Sequence, residues 1–148
     1  MEKNIFEHLE ILKPINTKIT LRFVQEGIAA GGFTSPALDH IEDDIDLGKL
    51  FVKNKYATFL ARVKGNSMID AGFEENDIMI VDRSVPAVDG SIAVCFLDGQ
   101  FNVKRLKIDS KNEVVWLVPE NKEMSPIKID KQQDFQIWGT VTWHCKPV

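Results

Sequence analysis

The chain has 148 residues, 44% of them hydrophobic and 27% charged, a balance too apolar for a disordered segment and a length that suits one domain folding without disulfide or metal staples. Lys plus Arg total 18 and Asp plus Glu 22, for a formal charge of −4, which excludes binding to nucleic acid through a broad basic face but not access to DNA through a partner. No apolar run approaches the ~18 residues of a membrane span, and the acidic, amphipathic start lacks a signal-peptide apolar region, so a cytoplasmic protein is expected, with no membrane association.

Along the chain, Ile5, Leu9 and Leu12 recur at helix-like spacing until Pro14, and Ile19, Leu21 and Phe23 alternate like a short strand. Residues 27–36 follow, with three glycines and a proline, reading as a flexible or extended linker. Ser35 and Pro36 can cap a short helix over 37–45, with Asp39, Glu42 and Asp43 favoured near its start, and 46–50 forms another helical turn. From about residue 56 the pattern becomes β. Strands are expected at 57–63, 77–82, 91–97, 100–108, 113–118, 127–129 and 135–143. Asp98-Gly99 between two of them is a strong two-residue hairpin signal. The fold class is therefore mostly β, a sandwich or partly open barrel of short antiparallel strands, with helix confined to the first half.

Cys95 and Cys145 both sit in apolar runs without metal spacing, which reads as two buried thiols in a reducing compartment. His8, His40 and His144 are scattered and read as surface or packing residues. The sequence has no internal repeat, phosphate-binding glycine loop, paired His/Cys cluster or GxSxG elbow, so neither a metal nor a cofactor is expected.

The informative segment is Lys64-Gly65-Asn66-Ser67-Met68, then an acidic turn, then Asp77-Ile78-Met79-Ile80-Val81-Asp82. Lys104 follows, 37 residues after Ser67, in the run Phe101-Asn102-Val103-Lys104-Arg105-Leu106. A serine hydroxyl needs a neighbouring base to become a nucleophile, and a lysine can be that base only when neutral. Its ordinary pKa is about 10.4, so the task demands a dry, apolar site. Phe101, Val103 and Leu106 around Lys104 suit that demand. Gly65 permits a tight turn, and the backbone N–H groups of Asn66 and Ser67 are candidates to hold a tetrahedral oxyanion. Taken alone, a serine after Gly-Asn is ordinarily a turn residue and a strand lysine ordinarily faces solvent. Met68 reads as packing, and Asp70, Asp77 and Asp82 as turn and strand-edge polar residues.

These motifs together resemble the LexA-like Ser–Lys (S24) peptidase family, whose serine and lysine show the same separation. Within that family the match extends to the UmuD-like SOS-mutagenesis branch through Gly32-Phe33-Thr34-Ser35-Pro36-Ala37, Ile45-Asp46-Leu47 and 135–141. The resemblance runs over most of the chain from about Phe23. It implies a LexA/UmuD-like β-domain over 33–148, behind a regulatory, partly helical or extended arm over 1–32. It also implies Ser67 as nucleophile, Lys104 as general base and self-cleavage within the glycine-rich segment. The register places the cut between Gly31 and Gly32, with Ala30–Gly31 the rival bond. The family's partners are then expected: a RecA–single-stranded-DNA filament as stimulator, a second copy in a homodimer, and the catalytic subunit of a translesion DNA polymerase served by the trimmed product. No direct sequence-specific DNA binding is expected. The competing reading is a non-enzymatic β-domain for protein interaction, or a LexA-type repressor fragment. The repressor version is disfavoured because the residues before the linker show neither a second helix nor a basic recognition face.

Overall fold

The computed structural model describes residues 10–12, 20–21 and 45–148, with side chains from 46 onward. The described residues divide between two units. One comprises a short strand β1 (Glu10–Leu12) and the strands β4 (Thr58–Arg62), β5 (Ile78–Asp82), β6 (Ile92–Leu97), β7 (Gln100–Asp109), β8 (Val114–Val118), β9 (Ile127–Lys128) and β10 (Phe135–Cys145). The other, within residues 15–53, holds β2 (Thr20–Leu21), β3 (Ile45–Asp46) and a five-residue helix α1 (Leu47–Phe51).

The larger unit is one antiparallel sheet of eight strands in the order β1-β4-β5-β10-β6-β7-β8-β9. Its strands from β4 onward fall where alternation and turn signals place them, but in a single sheet and not in two stacked ones. Asp98 at φ 47° and Gly99 at φ 87° supply the left-handed pair that a tight hairpin needs, so β6 and β7 pair in register from Leu97–Gln100.

The last strand enters the middle of the sheet. β10 pairs with β5 through its second half and with β6 through its first, with register shifts at Ile137/Gly139 and Val141/Trp143. Such irregularities bend a strand and raise its local twist, and here they fall where β10 passes from pairing with β6 to pairing with β5. Gly139 is buried where a Cβ would stand 2.7 Å from Val81 Cγ1, so only glycine fits the strand there.

Two apolar clusters make the core. Alternate residues of β6 supply both, since successive strand side chains point to opposite faces: Val94 joins Met68, Phe73, Met79, Val81 and Phe101, while Ala93 and Cys95 join Leu106 and Leu117. A strand covered on both faces explains the unbroken apolar run Ile-Ala-Val-Cys-Phe-Leu.

Three sequence expectations change. Glu10–Leu12, read as the end of an amphipathic helix, is a strand paired with β4 in the register Glu10–Arg62 to Leu12–Leu60. Three apolar residues are a weak helical stripe, and the free edge of β4 offers backbone hydrogen bonds that a short helix cannot match. Ile45, read as the last residue of a helix, belongs to β3; the remainder of that helix lies outside the described residues. The helical turn near 46–50 is α1, capped by Asp46, whose carboxylate accepts the N–H groups of Gly48 and Lys49. Cys145 is exposed and not buried, because β10 runs past the core before it ends; Cys95 is fully buried, and both are free thiols.

Candidate active site

The segment after β4 leaves the sheet and returns at the same level. Val63 N–H donates to Asp77 O at 2.9 Å and Asn76 N–H to Val63 O at 2.9 Å, which ties the base of an excursion over 64–75. Gly65 sits at φ 76°, with nothing within 4 Å of an added Cβ, so conformation and not space calls for glycine. Met68 and Phe73 then anchor the excursion in the core at 2% and 5% exposure, and the 3-10 turn Ile69–Ala71 closes between them. Ser67, the residue before the Met68 anchor, is half-buried at the rim.

Lys104 comes from the middle of β7. It stands opposite fully buried Ala93 of β6, two residues before buried Leu106, and is itself only 8% exposed. Its Nζ donates to Ser67 Oγ at 2.9 Å and to Val103 O at 3.2 Å. Among the described residues, no carboxylate pairs with it. Burial therefore pushes the Lys104 pKa down, opposed only by attraction to the Cys95 sulfur. Burial also pushes the Cys95 thiol up to about 12. A thiol that high is uncharged wherever Lys104 titrates, so the opposing attraction has little hold and desolvation decides the direction.

The structure thus brings Ser67 and Lys104, far apart in sequence, into direct contact. Among the described residues, the N–H groups of Asn66 and Ser67 carry no hydrogen bond and stand at the same rim. Ala30, Gly31 and Gly32 lie outside the described residues.

Two contact sets around the site were invisible to sequence reasoning. In the first, buried Asp77 accepts the Glu74 N–H at 2.9 Å and lies 2.7 Å from His144 Nε2, while the His144 ring stacks on Phe73 at 4.1 Å. Burial pushes the Asp77 carboxyl up, but the Glu74 N–H, His144 and Lys146 together hold it below its ordinary value. This pins the end of β10 to the far side of the excursion. In the second, the loop after β8 ties to the near side: Asn121 Nδ2 donates to Asn66 O at 3.0 Å, Asp70 N–H to Glu120 O at 2.7 Å and Lys122 N–H to Asp70 Oδ2 at 3.0 Å. His144 and Asn121 lie 67 and 55 residues from their partners, a span over which no local pattern signals a contact.

Known proteins resemble this chain over most of its length. A model of the family described as Peptidase S24-like matches residues 23–142. Protein MucA of Escherichia coli is 36% identical over 124 residues, covering 83% of this chain and 82% of that protein. Protein SamA of Salmonella typhimurium is 33% identical over 111 residues, 75% of each chain. The LexA repressor of Oleidesulfovibrio alaskensis is 38% identical over 115 residues, 78% of this chain but only 54% of the repressor. With matches of this breadth around a paired serine and lysine, the chain belongs to the Peptidase S24-like family.

Proposed function

We propose that the protein is a serine endopeptidase that cuts its own N-terminal segment, using Ser67 as nucleophile and Lys104 as general base. The observation that carries this reading is the 2.9 Å approach of a buried lysine amine to a serine hydroxyl on an anchored turn. In the reactive form Lys104 is neutral and takes the Ser67 proton as Oγ attacks the scissile carbonyl carbon. The tetrahedral oxyanion is held by backbone N–H groups at the turn, those of Asn66 and Ser67. As the intermediate collapses, the C–N bond breaks and the Lys104 ammonium returns the proton to the leaving amine. Lys104 then deprotonates a water that hydrolyses the Ser67 ester.

The substrate on this reading is the glycine-rich segment, cut between Gly31 and Gly32 or, alternatively, between Ala30 and Gly31. Residues this small let an extended backbone lie close against the catalytic turn. The family resemblance supports a cytoplasmic role in the SOS response. A RecA–single-stranded-DNA filament stimulates the cut, and the trimmed product acts as a homodimeric accessory subunit of a translesion DNA polymerase.

Incubation of the purified chain at alkaline pH, followed by intact-mass spectrometry, tests the reading and locates the bond. Ser67→Ala and Lys104→Ala should each abolish cleavage. Lys104→Arg should do the same, since a guanidinium stays protonated at any workable pH. Cleavage that persists in the serine or lysine variant excludes the dyad, and an intact wild-type chain leaves the non-enzymatic interaction domain as the better account.

A further inference from the structure

The loop at 119–124 does more than cover the nucleophile turn. Asn66 O accepts two hydrogen bonds, from Ile69 N–H at 3.2 Å and from Asn121 Nδ2 at 3.0 Å. Every peptide bond among the described residues is trans. In a trans peptide the carbonyl and the following N–H point in opposite directions, so fixing Asn66 O on one side aims the Ser67 N–H to the other.

The fixing group is itself well held. Asn121 Oδ1 accepts the Glu123 N–H at 2.9 Å, which settles the orientation of the side-chain amide and leaves Nδ2 to face Asn66. The loop that carries it is tied to Asp70 on either side of Asn121, by the backbone bond from Asp70 N–H to Glu120 O and by Lys122 N–H donating to the Asp70 carboxylate. Glu120 also pairs with Arg105, the neighbour of Lys104 on β7, and Arg105 Nη1 donates to Gly90 O at 2.8 Å. A continuous set of contacts therefore runs from beside the base, through the loop, to the peptide plane of the nucleophile.

We infer that Asn121 is a positioning residue for the self-cleavage reaction, holding the Asn66–Ser67 peptide plane so that the Ser67 N–H meets the developing oxyanion. The inference rests on the Ser67–Lys104 reading. Among the described residues Asn121 has no hydrogen bond to Lys104, so its loss should lower the rate without altering the ionisation that drives it.

The test uses the full chain with Asn121→Asp, nearly isosteric but presenting only acceptors to Asn66 O, and Asn121→Ala as a neutral second variant. Cleavage is timed by intact mass across a series of alkaline pH values, beside melting temperatures and the Ser67→Ala and Lys104→Ala controls. Both Asn121 variants should cleave roughly 10- to 100-fold more slowly at every pH, short of the ~10²–10³ loss typical of removing an oxyanion donor outright. In Asn121→Ala, which adds no charge, the midpoint of the pH–rate curve should stay at its wild-type value, and the melting temperature should do so as well. Wild-type rates in the variants overturn the inference alone. So does a shifted midpoint in Asn121→Ala, which would mean that Asn121 acts through Lys104, or a rate loss that tracks unfolding in both variants, which would make the loop a folding element. A wild-type chain that stays whole, or a Ser67→Ala chain that cleaves, removes the parent reading and this inference with it.

Discussion

Lys104 is an amine placed where its charged form is least welcome. Its neighbours on that face of the sheet are Ala93, Cys95 and Leu106, all buried, and the one side-chain partner its Nζ has among the described residues is a neutral hydroxyl. Two consequences follow, and both run upward with pH. The self-cleavage rate should rise with pH as Lys104 loses its proton, with a midpoint below the ordinary lysine value of about 10.4. A pH–rate profile by mass spectrometry checks this; a midpoint at or above that value would contradict the burial argument. For stability, the unfolded chain binds the Lys104 proton more tightly than the folded one does, so the folded state gains stability as pH rises from the lowered folded value towards the unfolded one. Below that window the cost of the buried ammonium is felt in full. Lys104→Met should therefore raise the melting temperature at neutral pH, and the gain should shrink as pH approaches 10, about the ordinary lysine value. Calorimetry at two pH values would show it.

At the scale of elements, the nucleophile turn is held from two sides, by the His144–Asp77 contact at the end of β10 and by the loop after β8. β10 also links the two halves of the sheet, and at Gly139 an added Cβ would meet the Val81 side chain of β5. Gly139→Ala would press a methyl onto Val81 Cγ1 on a stiff, β-branched side chain. Overpacking of this kind should cost about 1–3 kcal/mol, read from the midpoint of urea unfolding. Much of this architecture was legible in the sequence. The strands of residues 57–143 follow from alternation and turn residues, and the β6–β7 hairpin from Asp98-Gly99, because those signals are local. Ser67 and Lys104 were legible because a turn serine and an apolar-flanked lysine fell into a known spacing. Asn121, Asp70 and His144 were not, since each acts through a partner more than fifty residues away and looks like an ordinary polar surface residue in its own segment. Glu10–Leu12 misled for a related reason: pairing with a sheet edge is a property of the fold, and a three-residue stretch carries too little pattern to announce it.

For the molecule as a whole, the position of β1 gives the proposed cut a structural outcome. In the uncut chain β1 covers the edge of β4 through three residue pairs. Cleavage near Gly31 places those residues on a separate peptide. After processing, amides of Thr58–Arg62 that faced β1 should exchange with solvent faster, while those bonded to β5 stay protected. Hydrogen-exchange mass spectrometry before and after the cut would show the difference; unchanged exchange across β4 would mean that the fragment remains bound.

Covalent attachment is what lets so small a strand hold its place. A tethered segment meets its docking site at an effective concentration in the millimolar range, whereas a free peptide must find it from bulk solution at whatever level the cell contains. Three rungs of a ladder make a weak complex once that advantage is gone. Hydrolysis would then work as a ratchet: one broken bond lets the guard strand drift off by dilution, and leaves the rim of the sheet open to a newcomer with a strand of its own to offer.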